Sequence, residues 1–209
     1  MHALIILNST LPNAQTLQHE QEKAEKIFCA DGGANRAHQS MIVPDYIVGD
    51  FDSLSESTRT LFAGSTFIHR PDQSQTDMEK TIEYAVECGV QSASIVGLSG
   101  GRFDHQLSNL HIMKKYAHQL ELICIDDSGW GRFVHRELSL PVVPGQQISL
   151  IALQKAGGIM TSGLRFELQG ESLEFGFFNG QSNEATGYEV SVTLQSGSLF
   201  VFAALPESH

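Results

Sequence analysis

Residues 46–53 read Tyr46-Ile47-Val48-Gly49-Asp50-Phe51-Asp52-Ser53, so a short apolar run is followed at once by a glycine and two aspartates. A run of this length, bounded by turn residues, is typical of a buried β-strand. The same order of apolar run and polar turn recurs at Ile27–Ala30 before Asp31-Gly32-Gly33, at Thr66–His69 before Pro71–Asp77, and at Ser94–Gly97 before Gly100–His105. Each of these turns is therefore predicted to lie at the end of a strand.

Amphipathic segments separate the apolar runs, near residues 17–26, 34–41, 54–63, 77–88 and 104–118. The fourth is the clearest helix, because Met78 and Ile82 repeat at helical spacing and Thr76–Glu79 has the pattern of a capping box. Strands that alternate with helices predict an α/β domain, with a mostly parallel sheet and helices on both faces. We expect this domain to cover residues 1–138.

The pattern changes near Pro141 and Pro144-Gly145. Beyond them only strand-like segments follow, at 147–153, 159–168, 173–178, 188–194 and 199–204. Several short strands at this spacing predict a small all-β sandwich, which we expect over residues 139–209.

The composition is acidic, with 24 Asp+Glu against 13 Lys+Arg and a formal net charge of −11. This charge argues against nucleic acid as a partner but leaves open a nucleotide held through Mg²⁺. The three cysteines form no CxxC pair, and their odd number suits reduced thiols. No apolar run approaches the ~20 residues of a membrane helix. We therefore expect a cytoplasmic protein that does not bind membranes.

Aspartates stand in the turns after four of the predicted strands, and parallel strands bring such turns to one edge of the sheet. A single aspartate after a strand is more often a turn or cap residue, but repetition at four strand ends favours a site. Carboxylates that converge repel each other, and a hard cation such as Mg²⁺ relieves the repulsion while it bridges to phosphates. The six aspartates expected in this cleft are Asp31, Asp50, Asp52, Asp72, Asp77 and Asp104.

Known phosphate motifs are absent from the sequence. There is no GxxxxGK[ST] loop, and Gly97–Gly101 does not match the GxGxxG fingerprint. These absences argue against a P-loop enzyme and a Rossmann oxidoreductase. Arg102 supplies a fixed positive charge suited to a phosphate.

Four motifs, in this order, resemble the thiamin pyrophosphokinase family: Ala30–Asn35, Pro44–Ser53, Thr76-Asp77 and Gly100–His105. In the C-terminal part, Gly163–Leu168 and Gln181–Glu184 resemble motifs of that family's second domain. The resemblance covers nearly the whole chain. Its most specific part is the pair formed by the Gly49–Ser53 and Gly100–His105 motifs.

The resemblance implies an α/β domain, a β-sandwich domain and a homodimer. It implies Mg²⁺-dependent transfer of a diphosphate from ATP to the hydroxyl of thiamine, which gives thiamine diphosphate and AMP. Mg²⁺ would be held by Asp50, Asp52 and Asp77. The residues that carry the chemistry would be Asp52, Asp72, Asp77 and Asp104, with Asp104 or Asp72 accepting the hydroxyl proton. The ligand-binding residues would be Asp31, Gln73, Thr76 and Arg102 for the nucleotide side and Ser182 and Asn183 for thiamine.

The chain departs from the family pattern at two positions. Ser74 stands where many members carry an aspartate, and Phe166 stands where they often carry a tryptophan. Other readings therefore remain open. One is a diphosphokinase for another hydroxymethyl heterocycle, such as a pterin. Another is a sensor that binds thiamine or a nucleotide without turnover. A third, a purely structural β-sandwich protein, would leave the repeated strand-end aspartates without a purpose.

Overall fold

The computed structural model describes residues 1–206. The chain forms two compact units, Met1–Asp127 and the part from Ser128 onward. The predicted domain boundary at residues 138 and 139 lies eleven residues beyond the end of the first unit. Within residues 1–206, no helix is both long and apolar enough to cross a membrane.

The first unit alternates strands and helices along the chain. Its strands are β1 (His2–Ile6), β2 (Lys26–Ala30), β3 (Tyr46–Gly49), β4 (Thr66–His69), β5 (Ser92–Val96) and β6 (Glu121–Asp126). Its helices are α1 (Ala14–Lys23), α2 (Gly33–Gln39), α3 (Glu56–Leu61), α4 (Asp77–Glu87) and α5 (Phe103–Tyr116). All five overlap the predicted helices. Helix α1 begins earlier than predicted because the side chain of Asn13 caps it, accepting a hydrogen bond from the Thr16 N–H at 3.1 Å.

The six strands of this unit are parallel and lie in the order β6-β5-β1-β2-β3-β4, as the prediction of an α/β domain required. The chain starts in the middle, fills one side with β2 to β4, and then returns to fill the other side. The strand order therefore reverses between β1 and β5. In open parallel sheets, ligands bind beyond the carboxyl ends of the strands at this point.

The inner strands of the sheet are buried on both faces, as parallel sheets covered by helices require. Leu4 and Ile6 of β1, Cys29 of β2 and Ile47 of β3 are fully buried in one core cluster. Each such aliphatic side chain contributes about 1.5–3 kcal/mol by its removal from water. This rigid core fixes the strand ends from which the loops project.

Helix α4 begins at the edge of the sheet that carries those loops. The Thr76 hydroxyl accepts a hydrogen bond from the Glu79 N–H at 3.3 Å, which is one half of the predicted capping box. The Glu79 carboxylate does not return the contact but bonds to Lys115 and Tyr116 of α5. The cap therefore fixes Asp77 as the first residue of α4, and the helix packs on β2 and β3.

The described residues of the second unit form strands and no helix, in two antiparallel sheets. Its strands are β7 (Gly129–Val134), β8 (Glu137–Pro141), β9 (Gln147–Ile151), β10 (Ala156–Ser162), β11 (Gln169–Leu173), β12 (Gly180–Glu184), β13 (Glu189–Thr193) and β14 (Leu199–Ala204). The sheet orders are β12-β9-β14-β7 and β11-β10-β13-β8. Apolar residues of both sheets form one core, including Leu150, Ile159, Val192 and Val201. The prediction of a β-sandwich is confirmed.

The second unit differs from the prediction in several details: strands β8 and β12, and β11 up to Leu173, were not predicted. Strand β7 was not expected, because its glycines give no apolar signal; a Cβ at Gly131 would lie 2.3 Å from the Phe200 ring. The predicted strand over 159–168 ends at Ser162, since Gly163 has a φ of +78°. The predicted strand over 173–178 is wrong beyond Leu173. There the backbone turns at Gly176, with a φ of +86°, and Glu174 and Phe178 exchange backbone hydrogen bonds.

Candidate active site

A cleft of about 650 Å³ lies at the carboxyl edge of the first unit's sheet. Loops that follow β1 to β5, together with the first turns of α4 and α5, line it. Seven of the residues predicted from the sequence line this cleft: Asp50, Asp52, Gln73, Thr76, Asp77, Arg102 and Asp104. The topology therefore brings residues that are far apart in sequence to one place.

Two aspartates that line the cleft, Asp50 and Asp52, form a close cluster with Asp31, which is buried beside them. One carboxylate oxygen from each of Asp31, Asp50 and Asp52 lies within 4.8 Å of the others. Asp31 is only 1% exposed, and its Oδ2 atom accepts a hydrogen bond from the Ser53 N–H at 3.0 Å. Its Oδ1 atom is buried and finds no hydrogen-bond partner among residues 1–206. Such an orphaned carboxylate oxygen beside two more carboxylates fits a hard divalent cation such as Mg²⁺.

Burial raises the pKa of Asp31 to about 6. The Ser53 N–H opposes this shift, while the negative charges of Asp77, Asp52 and Asp50 add to it. A raised pKa means that the ionised form is the poorly stabilised one. A cation at the cluster would remove that disadvantage.

The backbone is strained where it carries these carboxylates. Asp31 has a φ of +38° and Phe51 a φ of +70°, and left-handed conformations of this kind in residues other than glycine concentrate at functional sites. The Phe51 ring stacks on His69 at 5.6 Å and meets Phe67 edge-on, which fixes the turn. Gly49 is required because a Cβ there would lie 2.7 Å from the Cβ of Asp31.

Asp50 and Asp77 receive hydrogen bonds from the protein itself. The Gln73 amide donates to Asp50 Oδ2 at 2.7 Å, and this bond is the main reason that the pKa of Asp50 is lowered. Lys80 Nζ donates to Asp77 Oδ1 at 3.1 Å and lies 3.8 Å from Asp50 Oδ2. Burial nevertheless raises the pKa of Asp77, against the effect of Lys80.

Asp72 lies outside the residues that line the cleft and is exposed. Its Oδ1 atom accepts hydrogen bonds from both the N–H and the hydroxyl of Ser74, each at 2.8 Å. These two bonds lower the pKa of Asp72. Ser74, which departs from the family pattern, thus holds the Asp72 carboxylate by hydrogen bonds within the same loop.

Arg102 and Asp104 form an exposed ion pair in the cleft. The guanidinium donates to both carboxylate oxygens, at 3.1 and 2.6 Å. The hydrogen bond from Arg102 is the main reason that the pKa of Asp104 is lowered. The arrangement places one exposed cation in the cleft, where a guanidinium suits phosphate oxygens.

Ser182 and Asn183 lie on β12 in the second unit. Asn183 is buried, and its amide group bonds to the N–H of Phe166 at 3.1 Å and to its carbonyl at 2.7 Å. Ser182 is exposed and has a φ of +55°. Asn183 therefore holds the loop that presents the Phe166 ring, which is 68% exposed.

Sequence reasoning missed several residues of the cleft. Asn8 and Ser9 line it; they follow β1, so the rule that turns after parallel strands meet at one edge would have found them. Lys80 gave a weaker signal, as a lysine on the apolar face of α4 three residues after Asp77.

The sequence Gly97–Gly101 also matches the GxSxG pattern of a nucleophile elbow. However, the Ser99 hydroxyl donates to Asp126 Oδ2 at 2.8 Å, so it is held by a carboxylate rather than by a histidine base.

The fold and the cleft together define a class of protein: an open parallel α/β domain whose carboxylate-rich cleft suits a phosphate ligand held through a divalent cation. The family model of the thiamin pyrophosphokinase catalytic domain matches residues 17–125. That of the thiamin pyrophosphokinase vitamin B1 binding domain matches residues 135–199. The chain belongs to the thiamin pyrophosphokinase family.

Relatives agree with this assignment, and a solved structure agrees with the fold. Thiamine pyrophosphokinase 2 of Arabidopsis thaliana is 28% identical over 94% of this chain and 83% of its own length. Thiamin pyrophosphokinase 1 of Caenorhabditis elegans is 29% identical over 85% and 79%. The crystal structure of thiamine pyrophosphokinase from Bacillus subtilis covers 99% of this chain and 100% of its own, with a TM-score of 0.86 at 21% identity. At that identity the structure supports the fold alone.

Proposed function

We propose that this chain transfers a diphosphate from ATP to the hydroxyl of thiamine, giving thiamine diphosphate and AMP, with Mg²⁺ bound in the acidic cleft. The observation that carries the proposal is the unpaired Oδ1 atom of buried Asp31 beside Asp50 and Asp52, in a chain of this family. A buried carboxylate oxygen without a donor costs free energy unless a cation or a proton meets it. The cluster is therefore suited to a cation that accompanies the nucleotide.

In the proposed reaction, the hydroxyl oxygen of thiamine forms a bond to the β-phosphorus of ATP. The bond from that phosphorus to the α–β bridging oxygen breaks, and AMP leaves with its electron pair. When bound, Mg²⁺ would neutralise charge on the phosphate oxygens. With the nucleotide bound, Asp50, Asp52 and Asp77 are the proposed ligands, and the cluster that Asp31 forms with Asp50 and Asp52 adds Asp31 to the candidates.

Positioning and charge neutralisation dominate such transfers. Arg102 would contact the phosphates, with Gln73 and Thr76 beside it at the cleft wall. Of the two proposed proton acceptors, Asp104 lines the cleft and Asp72 does not, which favours Asp104. Movement of Arg102 onto a phosphate would remove the hydrogen bond that lowers the pKa of Asp104 and make it a stronger base.

For the second substrate, we propose that Ser182 and Asn183 help to bind thiamine, with Phe166 as an apolar wall. Residues 1–138 would then bind ATP and Mg²⁺, and residues 139–209 would bind thiamine and form a homodimer. No disulfide forms among the described residues, which suits the reducing cytoplasm that we propose as the location.

Product analysis by mass spectrometry tests the proposal. Purified protein is incubated with MgATP and thiamine, and AMP should appear in step with thiamine diphosphate. ADP with thiamine monophosphate would contradict attack at the β-phosphorus. Product from a hydroxymethyl pterin but not from thiamine would show that the acceptor is wrong. Tight thiamine binding without any product would show a sensor instead of an enzyme.

A further inference from the structure

Lys80 is the only lysine or arginine among residues 1–206 that is buried, with 3% of its side chain exposed. It lies on α4, whose other buried residues include Met78 and Ile82. A buried ammonium group costs several kcal/mol unless it is paired. Lys80 is paired inside the cleft, at 3.1 Å from Asp77 Oδ1 and 3.8 Å from Asp50 Oδ2. Because burial of this charge is costly, we expect Lys80 to have a role in the function of the cleft.

The hydrogen-bond donors of the protein are distributed unevenly over the carboxylates of Asp31, Asp50 and Asp77. Asp77 receives the Lys80 ammonium, and Asp50 receives the Gln73 amide on the oxygen that faces Lys80. The buried Oδ1 atom of Asp31, which clusters with Asp50 and Asp52, has no partner among the described residues. Lys80 thus already meets Asp77 and Asp50, whereas no donor of the described residues meets Asp31 Oδ1.

We propose that Lys80 serves as a permanent cation of the cleft, whose charge neutralises Asp77 and the Oδ2 atom of Asp50. As a result, the nucleotide-free protein binds only one divalent ion. That ion lies at Asp31, Asp50 and Asp52. A second divalent ion at Asp50 and Asp77 would have to sit within a few ångströms of the ammonium, where like charges repel strongly. Lys80 is a positioning residue in this scheme. The inference rests on the proposed function only in that both assign a cation to these carboxylates.

The test counts Mn²⁺ ions bound to the nucleotide-free protein by electron paramagnetic resonance, with calorimetry for affinity. The wild type should bind one ion. Lys80→Met, which keeps a long apolar side chain but removes the charge, should bind two, and adding Asp77→Asn to it should restore one. Lys80→Arg should bind one. Lys23→Met removes an equal charge from α1, outside the cleft, and should also bind one ion with unchanged affinity. Two ions on the wild type, or one on Lys80→Met, would overturn the inference.

A second measurement does not depend on the folding of Lys80→Met. In wild-type protein with ¹⁵N-labelled lysine, the Lys80 ammonium should give a resonance protected from water exchange, identified by its loss in Lys80→Arg. That resonance should persist when Mg²⁺ saturates the protein, whereas its loss would show that the metal displaces Lys80. Failure of the proposed function can be told apart from failure of this inference. A protein that binds one ion but makes no thiamine diphosphate would contradict the proposed reaction and leave the role of Lys80 intact.

Discussion

Five of the six aspartates predicted for the cleft fall into two groups that differ in how their charge is neutralised, while the sixth, Asp77, is paired with Lys80. The inner aspartates, Asp31, Asp50 and Asp52, crowd together, and one buried oxygen among them has no donor. The outer aspartates, Asp72 and Asp104, are exposed and are satisfied by their own loops, through Ser74 and Arg102 respectively. The same residue type, each time between a strand and the first turn of the helix that follows, thus occupies two different electrostatic environments. The difference separates carboxylates that need an external cation from carboxylates that do not.

The largest expected effect is the loss of activity when an inner aspartate loses its charge. Asp52→Asn keeps the shape of the side chain but removes a ligand for the cation, so we expect turnover to fall by roughly 10³-fold or more. Thiamine diphosphate formation would be measured alongside the thermal midpoint, to establish that the variant is folded. Glu22→Gln on the exposed face of α1 is the matched control. Full activity in folded Asp52→Asn would remove this residue from the mechanism.

The next effect concerns stability and pH in the absence of metal. Asp31 has a pKa of about 6 in the folded protein against an ordinary value of 3.8, so the folded state favours its protonated form. Its contribution to the free energy of unfolding is therefore fully present below about pH 4 and is lost as the pH rises through about 6. The total loss is up to about 3 kcal/mol. Urea unfolding with a chelator, from pH 4 to 7, would measure this.

Two comparisons sharpen the pH experiment. Asp31→Asn should flatten that part of the pH dependence, because the group no longer titrates. Saturating Mg²⁺ should restore stability above pH 6, because it binds the folded state alone. A pH dependence that is identical in Asp31→Asn would show that another group causes it.

A smaller effect should separate the two outer aspartates from each other. Asp104 lines the cleft and Asp72 does not, so Asp104→Asn should lower kcat by about 10–100-fold, while Asp72→Asn changes it by less than about threefold. Steady-state kinetics at saturating MgATP and thiamine would show the difference. The reverse order would identify Asp72 as the proton acceptor, after a rearrangement of its loop.

The smallest effect is expected at Ser74. Ser74→Ala removes one of the two hydrogen bonds to Asp72, both of them exposed, so the free energy of unfolding should fall by about 1 kcal/mol or less. Chemical denaturation would measure the change, with Ser57→Ala on α3 as a control. A loss of several kcal/mol would mean that this loop supports the site more than its contacts indicate.

The local sequence was sufficient for much of the fold. Strand-then-turn patterns at β2 to β5 and helical spacing in α4 depend on neighbouring residues, so the five helices and the parallel sheet followed from them. Strand β7 was missed because Gly129 and Gly131 are fixed by contacts with Ala203 and Phe200, some seventy residues away. The turn at Phe175–Phe178 was missed because Phe side chains indicate a strand while Gly176 sets the backbone.

For the site, the sequence by itself determined which edge of the sheet carries the carboxylates, since parallel strands align the turns that follow them. Only the tertiary structure decided how each charge is met. It buried Asp31, placed Lys80 between Asp77 and Asp50, and bound Asp72 to Ser74 away from the cleft lining. The physical reason is that solvation and pairing depend on distances of a few ångströms between distant parts of the chain, and such distances are set by packing and cannot be read from the spacing of residues.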